Sequence, residues 1–342
     1  MRFSFFATLT CLAVGQAATF NKINDDWSFD VNEGNNAYWM SNIDDSKSLS
    51  SLAIPGTHNS VTNSLTGSLT SKLVQTQNVP LEQQLIGGIR YIDITCKVTK
   101  KGFMVYHGLS ETASSFGNVL TTIFDFLDLH RSETVILRIQ MGGVHKSSKS
   151  FIDSLQYYLT PGSELGNRAV NRVYSKGDDH ITTIPTLGEL RGKVFILEDF
   201  KTTSPGRYGL PWTTDTVSSY SRKFSASTLF MDSKWDDIKS HLREAPSDSS
   251  TKLRITHTTA SFGVSPINFA ARNAPKVGMN KHLGDYLSDE RGACFGIVVI
   301  DFPGQKLVKQ ILLLNEDFRN AESPDVMDQS EVFTAANFLT GA

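Results

Sequence analysis

The chain has 342 residues, 39% hydrophobic and 20% charged, and Lys+Arg 33 against Asp+Glu 35 leaves a formal charge of −2. That length suits one large α/β domain or two small ones. The near-neutral balance, with no block of basic residues, argues against nucleic acid as a partner, because a phosphate backbone is held by clustered Lys and Arg.

The N-terminus, MRFSFFATLTCLAVGQAATF, carries Arg2, an apolar stretch from Phe3 to Val14, and small residues at Ala17 and Ala18. This is the layout of a secretory signal peptide, its apolar core too short to span a bilayer. The expected organisation is a leader over 1–17, an N-terminal extension over 18–50 and a single main domain over 51–342, secreted to the extracellular space. No later segment approaches the roughly 18 uninterrupted apolar residues of a membrane helix. Of the three cysteines, Cys11 falls in the leader, while Cys96 and Cys294 each border an apolar run, as either a disulfide or two buried thiols. No Asn-x-Ser/Thr acceptor occurs.

Short apolar segments then recur in order: SLAIPG, GIRYIDI, GFMVYHG, ETVILRIQ, GKVFILEDF, KLRITHT and FGIVVIDF. Runs of this kind, bounded by Gly and polar turns, predict strands buried on both faces. Between them VPLEQQLIGG, FGNVLTTIFDFLDLH and SFIDSLQYYL have helical spacing, and PTLGELRGK reads as a short helix or turn before the next strand. Phe20–Ser50 and Thr203–Asp248 are rich in Ser, Asp, Asn and Thr and read as an extension and a rim insertion. Strands alternating with helical crossovers, without an internal repeat, predict an α/β chain folded as a single-domain TIM (β/α)8-type barrel.

His58, Asp93, His107, Gln140, Glu198, His257 and Asp301 each fall at or just past the end of a predicted strand. In a β/α barrel those ends converge on one mouth, where the chemistry sits. Two imidazoles there form an acid/base couple at neutral pH, with Asp93 and Asp301 available to orient or charge-stabilise them. Such a couple suits phosphoryl transfer to a neighbouring hydroxyl. Either histidine alone would be compatible with a structural hydrogen bond.

IPGTHNS, LEQQLIGGIRYIDI, MVYHG, SETVILRI, PTLGELRGKVFIL and GIVVIDFPG, in that order, resemble the X-domain of phosphatidylinositol-specific phospholipase C in its secreted single-domain form. The resemblance implies a distorted barrel that cleaves phosphatidylinositol, or its glycosylated form, to diacylglycerol and a cyclic inositol phosphate. It implies His58 as general base, His107 as general acid, Asp301 as the group fixing the base tautomer and Asp93 as a carboxylate beside the phosphate. It implies substrate contacts at Asn59, Thr95, Gln140 and Glu198, an inositol-side loop at Tyr208–Trp212, and Tyr220 as the aromatic under the sugar. The partner implied is a lipid headgroup met in transient contact with a membrane surface, and the protein is read as a monomer.

The chain departs from the family where positive charge is needed. Metal-independent members carry Arg at the position of Thr95, and calcium-dependent members carry carboxylates there and at Gln140. Both are neutral here, although Asn59 is the calcium-type residue. Three readings follow: Lys97 or Arg138 supplies the charge, the strand alternation placing Lys97 with Asp93 and Thr95 and Arg138 with Gln140; or a weak Ca2+ or Mg2+ site forms from Asn59, Asp93, Glu198 and Gln140 with waters; or the barrel binds an inositol phosphate or glycan without turnover. A phosphodiesterase acting on another substrate, with a metal, is a further alternative.

Overall fold

The computed structural model describes residues 26–66, 74–143, 148–221, 231–244, 251–260, 265–271, 277–289 and 294–322. The leader read over 1–17 lies outside them. Among the described residues no helix is long and apolar enough to cross a membrane.

The strands are β1 (Ile54–Thr57), β2 (Tyr91–Thr99), β3 (Gly102–His107), β4 (Ser110–Ser115), β5 (Val135–Met141), β6 (Val194–Asp199), β7 (Leu210–Pro211), β8 (Val217–Tyr220), β9 (Leu253–His257) and β10 (Ile297–Ile300). Eight of them form a curled parallel sheet in the order β7-β6-β5-β2-β1-β10-β9-β8. Among the described residues no ladder joins β7 to β8, so the barrel is distorted and open along that seam. The segment GFMVYHG departs from the expected pattern. It is not a parallel stave but the antiparallel return of a hairpin, β3, paired with the outer half of β2 from Thr95↔Tyr106 to Thr99↔Gly102.

Helices α1 (Leu81–Ile86), α2 (Phe116–Leu129), α3 (Ser148–Leu159), α4 (Glu164–Arg172), α5 (Leu187–Leu190), α6 (Met231–Arg243), α7 (Pro266–Ala271), α8 (Met279–Asp289), α9 (Gln305–Leu312) and α10 (Glu316–Glu322) surround the sheet. Helix α2 starts where the Ser115 hydroxyl accepts the Asn118 amide at 3.1 Å, and it turns Val119, Leu120, Ile123, Phe124 and Leu127 inward at helical spacing. Thr186 and Glu189 form a reciprocal capping box on α5, which delivers the chain into β6.

The N-terminal parts of the central strands are apolar on both faces because both are covered. Ile54, Ile92, Ile94, Val135, Leu137, Ile139, Phe195 and Leu197 are buried, each contributing about 1.5–3 kcal/mol by leaving water. Gly56 lies within β1 rather than at a turn. A methyl there would meet the Tyr91 ring at 2.7 Å, so glycine is required for β1 and β2 to approach with Tyr91 across them. Below, the buried Arg90 guanidinium bonds Glu133 at 2.7 Å and the carbonyls of Leu85 and Ala37 at 2.6 and 2.9 Å. This ties the segment containing buried Trp39 and Met40 to the barrel floor.

The register decides which side chains reach the mouth. Asp93 is level with Arg138, and Thr95 with Gln140, across β2 and β5. Arg138 is level with Leu197, and Gln140 with Asp199, across β5 and β6. Alternation therefore puts Asp93, Thr95, Lys97, Arg138, Gln140 and Asp199 on one inner face and sends Glu198 to the other.

Candidate active site

The chain after β1 turns sharply at Asn59, whose φ of 43° is in the left-handed region that Asn tolerates better than most residues. The turn is braced from all sides. The Thr57 hydroxyl donates to Gln84 at 2.8 Å, the Ser60 hydroxyl accepts the Asp93 amide at 2.9 Å, and the Gln77 amide donates to the carbonyls of His58 and Ile300 at 3.0 Å each. His58 is thereby fixed at the mouth.

Its Nδ1 lies 3.0 Å from Asp301 Oδ1, and the other Asp301 oxygen accepts the Ala260 amide at 2.9 Å. Asp301 is fully buried while the His58 side chain keeps 21% exposure. Burial works against a charge on the imidazole, but the Asp301 carboxylate outweighs it and raises the His58 pKa above the ordinary value. With Nδ1–H directed at Asp301, Nε2 is the accepting nitrogen, and in the free protein it receives the Asn59 amide at 2.6 Å.

His107 arrives from β3, its ring centroid 5.6 Å from that of His58. Its Nδ1 donates to the Val74 carbonyl at 2.6 Å, and no hydrogen bond engages its Nε2 among the described residues. Burial, followed by the neighbouring His58 charge, lowers its pKa to about 4. The two imidazoles are thus pushed apart in opposite directions. His257, level with Val299 on β9, packs edge-on against His58 at 5.9 Å, and burial keeps it neutral.

Arg138 sits deeper, with its Nε and Nη2 on Asp199 Oδ2 at 3.1 and 2.5 Å, its Nη1 3.4 Å from Asp93, and its guanidinium over the Trp212 ring at 4.1 Å. Gln140 donates to the same Asp199 oxygen at 2.9 Å and accepts from Thr95 at 3.0 Å. A cavity of about 470 Å³ opens above, lined by His58, Asn59, Thr95, Lys97, His107 and Asp199 among others. That volume lies within the range of small-molecule sites.

His58, Asn59, Thr95, His107 and Gln140 share this cavity, while Asp93 lies below it and Asp301 behind His58. Two other expected contacts are corrected. Glu198 faces away: its carboxylate accepts the amides of Gly206, Tyr208 and Gly209 at 2.8, 2.6 and 3.0 Å and shapes the loop that carries Trp212. With Glu198 engaged there, the oxygen set Asn59, Asp93, Glu198 and Gln140 is not brought together. Tyr220 also points outward, packing on His241 of α6 with centroids 5.8 Å apart and its hydroxyl 3.4 Å from Asp237. Cys96 is a buried thiol on β2, not half of a disulfide, and burial pushes its pKa up.

Asp199 is the site residue that the sequence reading missed. Glu198 and Asp199 are adjacent acids ending an apolar strand, and only the register with Gln140 shows which one faces the mouth.

The match to known proteins agrees with this arrangement. Residues 52–199 match the family described as phosphatidylinositol-specific phospholipase C, X domain. A 1-phosphatidylinositol phosphodiesterase of Listeria monocytogenes is 31% identical over 294 residues, covering 81% of this chain and 84% of the relative. The solved structure of the Listeria monocytogenes phosphatidylinositol-specific phospholipase C superposes with a TM-score of 0.68 at 29% identity, over 82% of this chain and 99% of that one. A Staphylococcus aureus phosphatidylinositol-specific phospholipase C structure gives a TM-score of 0.67 at 20% identity, over 84% and 99% of the two chains, and supports the fold.

Proposed function

Because the chain belongs to the phosphatidylinositol-specific phospholipase C family, we propose that it cleaves the glycerol–phosphate bond of phosphatidylinositol, yielding diacylglycerol and a cyclic inositol phosphate. The observation that carries this reading is the His58–Asp301 contact at 3.0 Å facing His107 across one cavity. His58 Nε2 takes the proton of the inositol 2-hydroxyl, whose oxygen attacks phosphorus. The bond from phosphorus to the glycerol oxygen breaks, and His107 Nε2 gives its proton to that oxygen. Asp301 holds His58 in the accepting tautomer and stabilises the imidazolium that forms.

Two features of the free protein yield to substrate in this scheme. Asn59 releases His58 Nε2 as the hydroxyl takes its place. The anionic phosphodiester then favours the charged form of His107, offsetting the burial that holds its pKa near 4 in the free protein.

The lipid setting fits the rim. Leu109 stands 89% exposed in the two-residue turn that follows His107, next to Gly108 in the cavity wall. It is placed for shallow, transient contact with the surface that presents the headgroup. We read residues 1–17 as a leader removed on export, residues 18–50 and 51–342 as one working unit, and the secreted protein as a monomer.

His58→Ala and His107→Ala test the reaction. Each lowers release of cyclic inositol phosphate from phosphatidylinositol vesicles, followed by phosphorus NMR, by about 10²–10⁴-fold. Near-normal turnover by either folded variant overturns the assignment.

A further inference from the structure

We propose that Lys97 is the catalytic cation of this site, its ammonium meeting the non-bridging phosphate oxygens as negative charge builds on them. The inference rests on the phosphodiesterase reading above and concerns what the two histidines leave undone. They move protons, but the transferring phosphoryl group also needs a positive charge placed beforehand where negative charge builds on its oxygens.

Arg138 and Lys97 are the inner-face cations that β2 and β5 bring to this mouth. Arg138 is committed to its surroundings. Its guanidinium is bracketed by Asp93 and Asp199, stacked on Trp212 and 13% exposed, and it lies below the residues that form the cavity wall. Lys97 is itself part of the wall. Its stem crosses the mouth over the bare Cα of Gly142, where an added methyl would meet Lys97 Cε at 3.0 Å and Cγ at 3.1 Å. The ammonium ends 4.1 Å from the centre of the Tyr106 ring and donates to the Gly108 carbonyl at 2.6 Å.

Those contacts anchor the ammonium at Gly108, which lines the same cavity as His107. They use one of three ammonium protons, leaving two for a phosphate in the cavity. Partial burial lowers the Lys97 pKa below the ordinary lysine value. Gly142, just past β5, thus leaves room for both neighbours: a methyl there would meet Thr95 Cγ2 at 2.6 Å and then the lysine stem.

The test compares wild type, Lys97→Met and Lys97→Arg by two readouts. Calorimetry measures binding of inositol 1-phosphate and of myo-inositol, and vesicle assays measure turnover. The proposal expects Lys97→Met to bind inositol 1-phosphate at least about tenfold more weakly while myo-inositol binding is unchanged. Turnover should fall about 10²–10³-fold, with Lys97→Arg recovering most of it. If Lys97→Met keeps inositol 1-phosphate binding and turnover within about threefold, or weakens both ligands equally, the proposal fails. Lys97-dependent phosphate binding by a wild type that turns over no phosphatidylinositol supports the lysine assignment and refutes the phosphodiesterase reading instead.

Discussion

Replacing Asp301 by Asn removes a charge and keeps the shape, and the surroundings dictate what the new amide does. The Ala260 amide donates to one carboxylate oxygen at 2.9 Å, so the Asn oxygen must stay there and its NH2 must face His58 Nδ1. A donor at that position forces Nδ1 to accept, which moves the imidazole proton to Nε2, the nitrogen that should be taking the substrate's proton. The base is then in the wrong tautomer. The equivalent change in a Ser-His-Asp triad costs about 10⁴ in kcat, so a loss of about 10³–10⁴-fold, or about 4–5.5 kcal/mol of barrier, is expected here. The pH profile adds an independent check. In wild type the reactive pair carries one proton between the His107 pKa of about 4 and the raised pKa of His58, so kcat/KM rises through the first and falls through the second. Without the Asp301 charge, burial is no longer outweighed and the His58 pKa drops, so the window narrows from its alkaline side. Initial rates on phosphatidylinositol vesicles from pH 4 to pH 9 are the assay. A variant with more than about a tenth of wild-type kcat, or an alkaline limb that does not move, would refute the reasoning.

Two further changes probe what surrounds the acid/base pair. Arg138→Met leaves buried Asp93 without its guanidinium, and urea unfolding should show a loss of about 3 kcal/mol, at the low end for a broken buried pair because Asp199 retains 25% exposure. A loss below about 1 kcal/mol would mean that Asp93 and Asp199 are well solvated. Leu109→Asp should weaken partition onto vesicles by about tenfold or more, given about 1.5–3 kcal/mol for burying a leucine. Its turnover of a monomeric water-soluble substrate should be unchanged, and equal losses on both substrates would place Leu109 inside the reaction rather than at the lipid.

The central strands were legible because their surroundings are simple. VFIL at the start of β6 is covered on both faces, so burial wrote itself into a continuous apolar run. The same continuity hid the register. With no polar face to mark inside from outside, Glu198 and Asp199 could not be told apart, and a one-residue offset exchanges their roles. Strand β8, VSSY, was read as part of a loop because its inward residues are small and its tyrosine packs on a helix. Strand β4, SETASS, lacks an apolar pattern because β3 is the one strand it pairs with among the described residues and one side is wet. Motif context singles out His58, His107 and Asp301, and the fold brings the three together at one mouth. Alternation along β2 puts Lys97 on the inner face with Asp93 and Thr95, but the contact of its ammonium with Gly108 depends on a hairpin that the sequence does not spell out.

That hairpin gives the acid and the base different mechanical supports. His58 closes a stave whose position is set by hydrogen bonds to both barrel neighbours, β10 and β2. His107 hangs from a ribbon braced by the Phe103 ring against Phe116, Phe151 and Tyr158, and by a bridge from Leu65 to Thr112 next to the Thr66 amide and hydroxyl, which both donate to the Glu111 carbonyl. The site works like a caliper with one fixed jaw. Its gap is set by the hairpin ladder, the Val74 carbonyl and the aromatic packing together, so a change of side-chain volume at Phe103 or Phe151 can resize the reaction space while the parallel ladders stay in register.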